Sequence, residues 1–148
     1  MDETLLWEIR AFVYRHFANT TRPASVEETA SHFALTQGEV AAAYEELQRR
    51  HALFLKPGTS DILMANPFSG VETSFKVYAN NKTYFANCAW DSLGIPAALQ
   101  VDAIIEASCA QTADLIRLQI TDQQIQSSNA LVHFLIPFKD WYDDLVFT

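Results

Sequence analysis

Positive charge, cysteine and glycine are all scarce in this sequence, and each shortage closes off a class of function. Ten Lys and Arg stand against eighteen Asp and Glu, a formal net charge of −8 at pH 7. Nucleic-acid binding draws most of its sequence-independent affinity from clustered Lys and Arg, and the chain offers no cluster beyond Arg49-Arg50. DNA is therefore not an expected partner. The four glycines form no phosphate-cradling loop, and no Ser/His/Asp signature is present. No apolar run approaches the roughly 18 to 20 residues that cross a bilayer. The start, MDETLLWEIR, has no basic region before an apolar stretch. The expectation is a cytoplasmic protein with no membrane partner. In that reducing setting the two cysteines, Cys88 and Cys109, are not expected to pair, and composition alone reads them as buried thiols.

What is present is enough apolar matter to fold. A hydrophobic fraction of 49% beside a charged fraction of 19% is that of a globular chain. Its 148 residues can bury one good core or two small ones, since domains run from about 50 to 250 residues. Residues 4–18 place Leu5, Ile9, Phe12, Val13 and Phe17 at helical spacing. Ser25 with Glu28, and Thr36 with Glu39, have the capping-box spacing and open a second and a third helix. Residues 51–67 then read as two short strands joined by the Lys56-Pro57-Gly58-Thr59-Ser60 turn. Three helices and a hairpin in this order predict a winged-helix domain over residues 1–66. The third helix carries Glu39, Glu45 and Glu46, where major-groove reading calls for Arg, Lys, Asn or Gln. This domain is therefore expected to pack against the second half or to support a homodimer.

Residues 67–148 are expected to form a second domain. Phe68-Ser69-Gly70 reads as a hinge, and alternation at Phe75, Val77 and Tyr84 around Asn80-Asn81 predicts an antiparallel hairpin. That hairpin leads into Cys88. A short helix is expected from about Asn87 to Leu93, with Gly94 as its stop and Pro96 just beyond. On it Cys88 and Asp91 are three apart and share a face. The pairing carries a specific chemistry. A thiolate is the ligand that thiophilic metals prefer, and a helix start can activate it by lowering its pKa. A carboxyl beside it can take or deliver the proton when a bond to the metal is made or broken.

The stretch YFANCAWDSLGIPA, residues 84–97, resembles the signature segment of organomercurial (alkylmercury) lyases, where a tyrosine-led strand runs into Cys-Ala-x-Asp and then Leu-Gly-Ile-Pro-Ala. Residues 104–109, IIEASC, resemble that family's strand ending in a further cysteine, and Leu131-Val132-His133-Phe134 its late core strand. The likeness spans about residues 70–142. It implies an α+β fold, with the winged helix followed by a compact mixed β-sheet domain with short helices. The implied activity is protonolysis of a carbon–mercury bond. Cys88 would be the metal-binding thiolate, Asp91 the group that manages the proton, and Cys109 a packing residue. No cofactor is implied, because mercury enters as part of the substrate or product. The implied partner is a small organometallic or metal ligand. One departure bears on turnover: where the family carries a second mercury-binding cysteine, this sequence reads Ser127-Ser128-Asn129-Ala130. Small free thiols would then have to complete the coordination of mercury. A non-catalytic metal-binding or sensor module is the alternative.

Other residues have plainer readings. His133, between Val132 and Phe134, is expected to be a hydrogen-bonded core residue, and Trp90 to pack. His16, His32 and His51 have separations that suggest no shared metal site. Trp141 and Tyr142 are expected on an amphipathic terminal segment.

Overall fold

The computed structural model describes residues 2–126 and 128–143. Helix α1 (Glu3–Thr20) starts where the Asp2 carboxylate accepts from the Leu5 amide, and buries Leu6, Ile9, Val13 and Phe17 on one face. Burying a side chain of this size is worth roughly 1.5–3 kcal/mol. Both predicted capping boxes form: Ser25 and Glu28 exchange hydrogen bonds at the start of α2 (Val26–Phe33), and Thr36 and Glu39 at the start of α3 (Gln37–Arg49). The Tyr44 hydroxyl on α3 lies 2.6 Å from the Thr29 hydroxyl on α2. Burial pushes that phenol up to about 12.

Strands β1 (Phe54–Leu55), β2 (Ile62–Ala65) and β3 (Phe68–Ser69) form a small antiparallel sheet. Here the hinge reading fails. Phe68 and Ser69 are buried strand residues, and the Gly70 amide donates to the Leu63 carbonyl at 2.7 Å. A Cβ on Gly70 would lie 2.5 Å from the Ile62 carbonyl oxygen, so the glycine permits close backbone approach and does not supply flexibility. A cis Asn66-Pro67 bond lies between β2 and β3.

The second sheet has the order β5-β4-β6-β7-β8. It contains β4 (Lys76–Ala79), β5 (Lys82–Phe85), β6 (Ala103–Ser108), β7 (Leu115–Thr121) and β8 (Gln124–Ile125). Every pairing in it is antiparallel, so the sheet is not the mixed one expected. The hairpin at Asn80-Asn81 forms as read, with both residues at positive φ (52° and 58°), the conformation that suits a two-residue turn.

Helix α4 (Ala89–Leu99) links β5 to β6 and runs past the predicted stop. Gly94 sits inside it, where a Cβ would come within 3.1 Å of Pro67 Cβ. Pro96 is also inside, and both it and Ile95 are buried. Their packing outweighs the local cost of a helical proline. The helix ends at Gln100 in the left-handed region (φ 55°).

The two parts of the chain share one hydrophobic cluster, which extends from Leu6 to Ile120. Phe17 on α1 stacks on Phe68 at 5.3 Å. The Tyr84 hydroxyl and the Lys82 ammonium of β5 donate to the Ala18 carbonyl near the end of α1, at 2.7 and 3.2 Å. A cation at a helix C-terminus also meets the favourable end of its dipole. No helix among the described residues is long and apolar enough to cross a membrane.

Candidate functional site

The hairpin β4–β5 delivers the chain to Cys88, and α4 begins immediately after it. Cys88 is the N-cap residue of α4, with extended backbone (φ −151°, ψ 179°). Its Sγ accepts from the Asp91 amide at 3.4 Å, where a helix normally uses a Ser, Thr or Asp oxygen. The predicted spacing therefore brings Cys88 and Asp91 together, through a cap and not through two positions inside a helix.

Asn87 organises the surroundings. Its Nδ2 donates to Asp91 Oδ2 at 3.0 Å and to Asn66 Oδ1 at 3.1 Å, with longer contacts to the carbonyls of Phe68 (3.3 Å) and Pro67 (3.4 Å). One amide thus ties the start of α4 to the β2–β3 turn. Its Oδ1 is buried and has no partner among the described residues. A second tie comes from the Thr73 hydroxyl, which donates to the Ala86 carbonyl at 2.6 Å.

The thiol is not activated in the way its place at a helix start predicts. Burial pushes the Cys88 thiol above its ordinary range, and the Asp91 charge adds to that, while the Asp91 and Trp90 amides work against it. Burial also raises the Asp91 carboxyl, with hydrogen bonds from Asn87 and Cys88 opposing. Desolvation dominates both groups because each is more costly to charge away from water. At neutral pH the site therefore holds a protonated thiol beside a carboxyl with an increased affinity for protons.

Cys88 and Asp91 open onto a cavity of about 250 Å³. It is lined by Met64, Asn66 and Ser69 from the β2–β3 region and by Val132, His133 and Phe134. Trp90 and Trp141 also line it. Phe134 links the two indoles, 6.3 Å from Trp90 and 5.2 Å from Trp141, stacked on the latter. Three expectations are corrected here. Trp90 is 59% exposed at the cavity and does not pack inside. Residues 131–134 form no strand, and His133 is an exposed cavity-lining residue and not a core one. In the segment Ser127–Ala130, Ser127 lies outside the described residues.

The remaining candidates lie elsewhere. Cys109 follows β6, half-buried, in the turn to β7. Hydrogen bonds from the Thr112 hydroxyl and from the Thr112 and Gln111 amides hold its thiol below the ordinary range. It does not line the Cys88 cavity, and the two cysteines are not bonded to each other. His16 and His32 both pack against the Phe12 ring, and His51 stacks on Tyr142 at 4.0 Å. Sequence reasoning missed Asn87, Asn66 and Met64. Asn87 stands next to Cys88 in the motif, but no spacing rule marks an amide that reaches back over twenty residues.

The fold is similar to that in the crystal structure of the mercury-bound form of MerB2, with a TM-score of 0.69 and 17% sequence identity, covering 87% of this chain and 61% of that one. The chain thus spans about three-fifths of the length of that protein. No curated protein matches. Residues 68–148, which include Cys88, Asp91 and the cavity walls from Ser69 onward, match the family of MerB alkylmercury lyases, and the chain belongs to that family.

Proposed function

We propose that this chain binds small organomercury compounds at Cys88 and cleaves their carbon–mercury bond by protonolysis. The observation that carries this reading is the pairing of the half-buried Cys88 thiol with the Asp91 carboxyl on one cavity, burial raising the proton affinity of each. The substrate is an organomercurial already carrying a small thiolate. Cys88 Sγ bonds to mercury as its proton passes to Asp91. Asp91 then delivers that proton to carbon as the carbon–mercury bond breaks, its electron pair forming the new C–H bond. The products are a hydrocarbon and mercury held between Cys88 and the small thiolate, so the atoms balance with one protein cysteine. Asn87, which donates to Asp91, keeps the carboxyl aimed at this position.

The experiment is turnover of phenylmercury in D2O with excess small thiol. Benzene carrying a single deuterium should be released, and Asp91→Ala should suppress release while leaving mercury capture at Cys88 intact. Release unaffected by Asp91→Ala would remove the proposed proton route. A second reading, a non-catalytic metal-binding or sensor module, is favoured by the thiol that burial keeps protonated. In it the three helices and the β1–β2 hairpin act as a winged helix that passes Cys88 occupancy to a partner. Capture without release would favour that reading. The acidic α3, with Glu39, Glu45 and Glu46, argues for a protein partner over DNA.

A further inference from the structure

A second sulfur-bearing residue, Met64, lines the cavity with Cys88. We infer that the thioether of Met64 is the protein's other soft donor, so that Cys88 and Met64 together form a thiolate–thioether seat for a soft metal cation of the mercury(II) class. The inference rests on the reading of Cys88 as the metal's thiolate. Soft cations prefer sulfur, and a second sulfur from the protein would add to the hold that Cys88 and an external thiolate provide. No three His, Cys, Asp or Glu side chains converge on a metal position among the described residues, and Cys109 is outside the cavity.

Met64 is distinguished by where it is buried. It is 8% exposed, yet it does not belong to the hydrophobic cluster that its strand neighbours Ile62 and Ala65 join. It lines the cavity together with Cys88, and so does Ser69, its register partner across the β2–β3 pair. A methionine buried away from the core and facing a cavity is not simply filling an irregular core gap, the usual use of this side chain. Its backbone is held by the pairing of β2 with β3, and two residues further on Asn66 accepts a hydrogen bond from Asn87, the residue before Cys88.

The chain has only two methionines, so the test is clean. In a Cys109→Ser background, protein labelled with 13C at the methionine methyl groups is titrated with mercuric chloride, and mercury retention is measured against competing cysteine. The Met64 methyl resonance should shift with the first equivalent and should not shift in Cys88→Ser. Met64→Leu, which conserves volume, should weaken retention on the order of tenfold or more, as expected for loss of a group supporting a metal. An unmoved methyl resonance and unchanged retention in Met64→Leu would overturn the inference. So would weakened retention in His133→Ala with Met64→Leu unchanged, which would assign the second donor to the imidazole. If Cys88→Ser also retained mercury, the reading of Cys88 itself would fall, a result distinct from either of these.

Discussion

Replacing Asn87 by alanine separates its structural role from its electrostatic one. The amide has two hydrogens, and its two shortest contacts are to Asp91 Oδ2 and Asn66 Oδ1 at 3.0 and 3.1 Å. A bond to a charged acceptor is worth about 1.5–3 kcal/mol and one to a neutral acceptor about 0.5–1.5 kcal/mol. Against this, Asn87 Oδ1 is buried without a partner among the described residues, a penalty of about 1–3 kcal/mol that alanine relieves. The net loss should be about 1–2 kcal/mol, a fall in melting temperature of roughly 2–8 °C for a chain of this size. The pH dependence is the sharper part. Asn87 favours ionised Asp91, so Asn87→Ala should raise the Asp91 pKa further and cost more stability at pH 7 than at a pH where Asp91 is protonated in both proteins. In wild type Asp91 is itself raised above its unfolded value. Its contribution therefore declines as pH rises from the ordinary carboxylate range through the folded pKa. Denaturant melts at several pH values, with carbon-detected NMR titration of the Asp91 carboxyl, measure both effects. An equal loss at every pH, or an Asp91 pKa that does not rise, would refute the assignment of Asn87 as the group holding that carboxyl.

Further expectations concern the sheet, the helices and the thiol. Gly70→Ala should destabilise by about 2 kcal/mol or more, because the added Cβ meets the Ile62 carbonyl oxygen at 2.5 Å and forces β2 and β3 apart; a melt within experimental error of wild type would contradict this. Tyr44→Phe should cost about 1–3 kcal/mol in urea unfolding, since it leaves the fully buried Thr29 hydroxyl without its 2.6 Å partner. Asp91→Asn removes a charge that raises the Cys88 thiol, so in a Cys109→Ser background the pH midpoint for Cys88 alkylation by iodoacetamide should move down. An unchanged or higher midpoint would show that the Asp91 charge is not felt at Cys88.

The parts of the fold that are legible in the sequence are those set by local chemistry. Ser25–Glu28 and Thr36–Glu39 fix helix starts through contacts three residues apart, and Asn80-Asn81 fixes a turn through two residues tolerant of positive φ. The Cys88–Asp91 pair is legible for the same reason, although the structure makes Cys88 a cap and not a helical residue. Misread elements depend on distant partners. Gly94 and Pro96 are strong stop signals locally, yet packing against Pro67 and the sheet carries α4 through them. Gly70 resembles a hinge until the Ile62 and Leu63 carbonyls are placed against it. Strand β8 follows a turn at Asp122 and Gln123 with φ of 50° and 60°, a conformation that no glycine or asparagine announces there. His133 has apolar neighbours in sequence and Trp90 is itself apolar, and only the approach of residues 132–134 to α4 shows that they line a cavity. Burial decides the thiol pKa, and the extent of burial at a helix start is not written in the motif.

The most direct measurement is a phenylmercury titration of the Cys109→Ser protein in excess small thiol, with mercury bound per chain determined by intact-protein mass and benzene by headspace analysis. Capture of one mercury per chain with release of benzene, both lost in Cys88→Ser, is the predicted result. Capture or release that survives Cys88→Ser would contradict the claim that the thiol capping α4 is the group at which the chemistry occurs.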